Sequence, residues 1–175
     1  MDARVVAVVV KRVLMIAYHY PPVGVSSGLQ RTLKFSTYLP ELGWQPSVLT
    51  VHPRAYEARR DDQLADVPKG VTVRRAFALD TARHLSIRGR YPLILALPDK
   101  WMSWWIGGVL TGLQMIRETR PDVLWSTYPI ATAHMIGLTL HGLTGLPWVA
   151  DCRDSLIDDH HPSNKTVRRA YGSSS

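Results

Sequence analysis

Short apolar runs alternate with segments of helical periodicity along most of this chain, and that alternation restricts the fold more than any other feature. Residues 13–17 (VLMIA), 46–51 (PSVLTV), 71–77 (VTVRRAF), 123–126 (VLWS) and 147–151 (PWVAD) read as five strands. The first is continuously apolar, as strands covered on both faces are. The third carries two arginines and is expected near an edge. Leu29, Leu33, Ser36, Leu39 and Leu42 recur at helical spacing up to Gly43, with Pro40 marking a kink or an end near Leu39. Trp101, Trp105, Val109, Leu113 and Ile116 keep a period of four behind Asp99, a candidate cap, with Arg117 and Arg120 toward the C-terminal end. Residues 131–144 form another helical segment, stopped by Gly145. Residues 53–70 are polar with room for one short helix, 79–98 are basic and irregular, and 158–175 read as a frayed tail.

Strands that alternate with crossover helices imply an α/β fold: a Rossmann-like parallel sheet of about five strands flanked by helices, with right-handed connections. Such sheets hold ligands at the carboxyl ends of their strands, near the point where strand order reverses. Residues 18–28, 127–131 and 151–154 are the loops that this geometry brings together. A length of 175 residues suits one compact domain. The single cysteine, Cys152, excludes an intrachain disulfide and fits a reducing, cytoplasmic setting. It reads as a small half-buried side chain at a strand end. The net charge of +7 favours anionic partners such as nucleotide phosphates or an acidic membrane leaflet. No nucleic-acid-binding signature accompanies it, so nucleic acid is not an expected partner. The basic pairs, among them Arg59-Arg60 and Arg74-Arg75, read one by one as solvated surface. The uncharged stretch 101–116 is shorter than the ~20 residues of a spanning helix and holds Gly107, Gly108 and Gly112, so no membrane span is expected. No signal peptide is expected either.

The first loop, 21–28 (PPVGVSSG), sets Gly24, Ser26, Ser27 and Gly28 just ahead of Arg31 and Lys34. It serves either as a phosphate cradle at a helix N-terminus or as a plain strand-to-helix turn. It is neither G-x-G-x-x-G nor a P-loop. Residues 148–154 (WVADCRD) put Asp151, Arg153 and Asp154 just beyond what reads as a buried strand. An Arg153–carboxylate ion pair that fixes the loop and charged groups that act on a ligand are both open there. His134, in the first turn after the fourth strand's loop, is a cleft-facing candidate or a cap. Asp158-Asp159-His160-His161 is not read as a metal site, because adjacent residues rarely converge on one ion. Trp101, Trp104 and Trp105 read as core, with an acceptor platform or an interfacial anchor as the alternative.

Two long stretches carry a family resemblance. Residues 12–51 (RVLMIAYHYPPVGVSSGLQRTLKFSTYLPELGWQPSVLTV) resemble the opening of family-4-type GT-B glycosyltransferases. Residues 121–154 (PDVLWSTYPIATAHMIGLTLHGLTGLPWVADCRD) are similar to a later stretch of the same glycosyltransferase subfamily 4-like group, in its Asp-x-Arg-Asp form. The resemblance implies that 11–157 is an N-terminal, acceptor-side domain of a hexosyltransferase-type enzyme. That enzyme would move a sugar from a nucleotide-sugar to a glycan or lipid-linked acceptor, usually with retention, with no cofactor and no obligatory metal. It further implies that residues 24–28 approach the donor diphosphate, that Asp154 is the catalytic carboxylate and that Arg153 is an orienting charge. Gly24, Ser26, Ser27, Gly28, Arg31, Tyr128, His134 and Asp151 would contact substrates.

Departures from the pattern are GVSSG where relatives run three or four glycines, Leu156 where tryptophan is usual, and no Glu-x7-Glu element or second Rossmann domain. The expectation is therefore a glycosyltransferase half from a truncated, split or fragmentary gene, inactive alone, for which a separately encoded C-terminal domain is one candidate partner. It is expected in the cytoplasm, with peripheral contact to an anionic membrane, and Val10 followed by Lys11-Arg12 is the expected native beginning. The alternatives are a non-catalytic acceptor-binding module and an unrelated nucleotide-binding Rossmann protein.

Overall fold

The computed structural model describes residues 10–24, 27–78 and 103–152. Five parallel strands form one sheet: β1 (Lys11–Ile16), β2 (Trp44–Val51), β3 (Thr72–Ala76), β4 (Val123–Thr127) and β5 (Trp148–Asp151), in the order β3-β2-β1-β4-β5. β1 is central, with Met15 level with Val48 on one side and Trp125 on the other. Its apolar run from Val13 to Ile16 is buried throughout because neighbours cover both edges and both faces. As expected, the arginine-bearing β3 lies at an edge. β5 lies at the other, and this corrects the reading of a buried strand before Asp151. Among the described residues only β4 pairs with it, so Val149 and Ala150 are exposed.

Helix α1 (Ser27–Tyr38) packs on one face of the sheet, and α2 (Trp104–Thr119) and α3 (Ala131–Thr144) pack on the other. Period-two alternation sorts the strand side chains between them. Leu14, Ile16, Leu49 and Leu124 join Trp104, Met115, Ile136 and Leu140 in the larger cluster, while Val13, Met15, Val48 and Trp125 join Leu33 and Tyr20 on the α1 side. The glycines of the uncharged stretch now have a packing reason. Gly108 and Gly112, one turn apart on α2, face Ile136 and Leu140, one turn apart on α3, and a Cβ on Gly112 would sit 2.6 Å from Leu140 Cδ1. The two glycines thus leave room on α2 for the side-chain tips of Ile136 and Leu140 from α3.

Pro40 acts as expected. Helix α1 ends at Tyr38, one 3-10 turn follows (Leu39–Leu42), and Gly43 closes it at φ 77°. Residues 53–70 hold two short 3-10 segments (Pro53–Ala55, Asp61–Asp66) where one was expected. Asp99, the expected cap of α2, lies outside the described residues, and Ser103 precedes the helix without a side-chain cap bond. Trp104 is fully buried and Trp105 half-buried, its indole donating to Thr139 Oγ1 at 3.0 Å. Trp101 and the tail 158–175 are also outside the described residues. Among the described residues, no helix is long and apolar enough to cross a membrane.

Candidate functional site

Strand order reverses between β1 and β4, so the chain leaves their carboxyl ends in opposite directions and opens a cleft there. The loop after β1 and the loop after β4 form its walls. Tyr18, His19, Gly28 and Thr32 stand on one side and Thr127, Tyr128, Pro129 and Ile130 on the other, lining a crevice too narrow to hold a water molecule. Gly28 is needed for the closure, since a Cβ there would lie 2.9 Å from His19 Nδ1 and 3.0 Å from Pro129 Cδ. Thr32, one turn along α1, is fully buried, lines the cleft, and its Oγ1 has no hydrogen-bond partner. A buried hydroxyl without a partner is costly. Larger hollows lie elsewhere. One of about 260 Å³ opens at the amino ends of the strands around Gln45, Thr72 and Glu118, and an apolar one, also of about 260 Å³, runs along the α1 face by Met15, Phe35 and Trp125.

The first loop is held from beneath by a buried polar network. Thr50 Oγ1 donates to the Tyr18 carbonyl at 2.9 Å, and the Tyr56 hydroxyl lies 2.9 Å from the same oxygen and 3.0 Å from the Tyr20 carbonyl. Burial pushes the Tyr56 phenol above its ordinary pKa, so it stays protonated and can donate. The Tyr18 ring packs edge-on against Tyr56 and Trp104, with centroids 5.8 and 5.4 Å away. Gly24 is drawn into the same packing. Its N–H donates to the Ala58 carbonyl at 2.8 Å, and a Cβ would lie 2.8 Å from that of Ala58. Its amide is therefore committed within the protein, whereas Gly28 lines the cleft.

Asp151 ends β5 beside Thr127 of β4. Both carboxylate oxygens are engaged: Oδ1 pairs with the Arg31 guanidinium from α1, and Oδ2 accepts from Thr127 Oγ1 at 2.9 Å. The expected Arg153–carboxylate pair lies outside the described residues, and the cation on Asp151 comes from the helix after β1. The Tyr128 N–H also donates to the Asp151 carbonyl at 3.2 Å. Lys34, the other cation of α1, lies over the Tyr38 ring at 5.8 Å. Cys152 is exposed, correcting the half-buried expectation, because the chain has left the sheet edge by that point.

His134 sits in the first turn of α3. Its Nδ1 lies 2.8 Å from Ser126 Oγ, which accepts the Trp148 indole N–H at 2.8 Å. The Ser126 hydroxyl keeps both its proton and a second lone pair, so it can serve His134 Nδ1 as donor or as acceptor according to the tautomer. Nε2 is buried and has no partner. Burial lowers the His134 pKa, and the Asp151 charge opposes the shift. His134 is not among the residues that line the cleft.

Of the residues expected at a site, Gly28 and Tyr128 border the cleft, and Arg31 and Asp151 join beside it. For Ser27 the backbone alone is described, as the first residue of α1. Ser26, Arg153 and Asp154 lie outside the described residues, as do Asp158, Asp159, His160 and His161. Sequence reasoning missed Thr32, Thr127 and Tyr56. Thr32 stood one helical turn beyond Gly28, a spacing that could have found it. Tyr56 carried no local signal, because its partners come from a loop 36 and 38 residues away.

Comparison with known proteins agrees with this architecture. A family model described as a glycosyl transferase 4-like domain matches residues 28–174. No curated protein matches the chain. Among solved structures, CalG4, the calicheamicin glycosyltransferase, is similar with a TM-score of 0.53 at 13% identity, over 94% of this chain and 36% of that one. The C-terminal domain of a hydrogenase from Pyrococcus furiosus is similar at a TM-score of 0.45 and 12% identity, over 81% of this chain and 90% of that domain. The chain thus spans about a third of the length of the glycosyltransferase it matches. With a parallel sheet in the order of a Rossmann-like GT-B half and a family match across most of its length, the chain belongs to the glycosyl transferase 4-like domain family.

Proposed function

We propose that this chain is the acceptor-side half of a two-domain GT-B glycosyltransferase. It would act in the transfer of a sugar from a nucleotide-sugar to a glycan or lipid-linked acceptor once a C-terminal donor domain completes it. The observation that carries this reading is the cleft at the strand-order reversal, where the first turn of α1 meets a buried hydroxyl without a partner in a chain of this family. Backbone amides at that helix start favour a donor phosphate, and Thr32 Oγ1 supplies a further hydrogen bond. Arg31 and Thr127 hold Asp151 in place, so Asp151 positions the residues that follow it and is not itself a base. Asp154 is the carboxylate proposed near the reacting sugar, with Arg153 as orienting charge. Stabilisation of the departing nucleotide belongs to the donor domain, so the chain alone would transfer negligibly. Contact with an anionic membrane surface fits the net charge of +7 and would weaken with salt.

The cleft reading is checked by mapping amide chemical shifts during titration with uridine diphosphate and, separately, guanosine diphosphate. Shifts are expected at Gly28, Thr32, Thr127 and Tyr128 for at least one of the two. Shifts confined to the amino ends of the strands, around Gln45 and Thr72, would contradict it.

A further inference from the structure

The adjacent arginines of β3 have opposite fates. Alternation along the strand sends Arg74 to the α2 face, where Glu118 pairs with it at 2.8 Å. Arg75 points to the other face and reaches under the first loop, where one guanidinium nitrogen, Nη2, donates to the Pro21 carbonyl at 2.7 Å. Its other terminal nitrogen, Nη1, is buried with no hydrogen-bond partner, and Arg75 has no ion pair among the described residues. A half-buried guanidinium with a missing partner and no counter-charge is an expensive arrangement to keep for packing alone.

Other cations surround it. His52, at the carboxyl end of β2, is held below its ordinary pKa first by burial and then by the charges of Arg54, Arg59 and Arg75. His52 N–H donates to the Ala76 carbonyl at 2.8 Å, tying the ends of β2 and β3 together, and its Nδ1 accepts the Arg54 N–H at 3.2 Å. Arg54 and Arg59 are exposed and make no ion pair among the described residues, whereas Arg60 is taken by Asp62 at 2.7 Å. Glu57 is the one acidic side chain in residues 52–60. The Pro21 to Gly24 backbone joins this cluster to the cleft wall: Val23 bridges to Arg59, and Gly24 bonds to Ala58.

We infer that Arg75, with Arg54, Arg59 and His52, forms an oxyanion-binding subsite at the carboxyl ends of β2 and β3. It lies beyond the first loop from the strand-order reversal and takes a phosphate or carboxylate group carried by the acceptor. Assigning the anion to the acceptor rests on the proposed function, but the existence of the subsite does not. Planar forks such as Arg75 bind tetrahedral or planar oxyanions through paired N–H groups, and the exposed arginines add attraction that salt screens.

The test is titration of the whole chain with inorganic phosphate and, in a second arm, with glucuronate, followed by amide shifts and calorimetry. Saturable binding of at least one anion is expected, with shifts centred on residues 52–60 and Arg75. Arg75→Gln should weaken it about tenfold or more, the scale of a lost charge-assisted bond. Arg74→Gln removes the same charge one residue away on the opposite face and should change affinity by less than about twofold, as expected for a distant screened charge. Thermal unfolding of each variant reports folding. Should Arg75→Gln fail to fold, the exposed pair Arg54→Gln and Arg59→Gln carries the same expectation of weakened binding. Preference for phosphate or for glucuronate identifies the acceptor's anionic group. No saturable binding of either anion, or equal losses in the Arg74 and Arg75 variants, would overturn the subsite. Shifts at Gly28 and Thr127 in place of residues 52–60 would overturn it while leaving the cleft reading intact.

Discussion

His134 and Asp151 show how the site's charges depend on their partners. The folded chain holds His134 below its ordinary pKa, whereas the unfolded chain protonates it near pH ~6.5. Protons therefore bind more readily to the unfolded state, and stability present above that pH is lost as pH falls through it. The melting temperature should fall on acidification, and by less in His134→Gln. An equal fall in both would show that His134 does not carry it; exposed His52 shares the direction of shift and needs its own Gln control. At Asp151, replacement by Ala strips partners from Arg31 and Thr127. A double-mutant cycle with Arg31→Ala should give a coupling of about 1 kcal/mol or less, because Arg31 is 41% exposed. The sequence marked Arg31 and Asp151 as functional but not as partners. They stand 120 residues apart, and only the strand order brings α1 to the end of β5.

Helices α2 and α3 pack side-chain tips over glycine. Gly112→Ala puts a methyl 2.6 Å from Leu140 Cδ1 and should cost about 1–3 kcal/mol in urea unfolding, as overpacking does. Gly142→Ala, on α3 with nothing within 4 Å, should instead stabilise by about 0.4–1 kcal/mol by lowering the entropy of the unfolded chain. Equal effects at both glycines would contradict the packing account. The elements themselves were legible. Apolar runs marked every strand, and Pro40 and Gly43 marked the end of α1. The edge position of β5 was not, because Trp148-Val149-Ala150 reads the same whether one strand or two lie beside it. The glycines of 101–116 argued against a membrane span but did not reveal which helix they meet.

The sheet presents a narrow cleft at its carboxyl edge, flanked by a basic cluster, and the chain spans 36% of the glycosyltransferase it matches. The crevice between the two loops is too narrow to hold a water molecule, whereas small-molecule sites typically enclose about 300–1,000 Å³. The proposed donor domain would supply the opposite wall. The fold class was legible from alternation alone and the family from two long motifs, while the cleft's Thr32 and the Arg75 cluster required three-dimensional placement. The most direct measurement is a transfer assay with a panel of nucleotide-sugars and glycan or lipid-linked acceptors. The purified chain would be assayed alone, then joined to a C-terminal donor domain from a glycosyltransferase of the same family. Transfer is expected only in the joined form, and it should fall at least about tenfold in Thr32→Val if that hydroxyl bonds the donor in the transition state. Sustained transfer by the chain alone, or joined-form activity indifferent to Thr32→Val, would contradict the account.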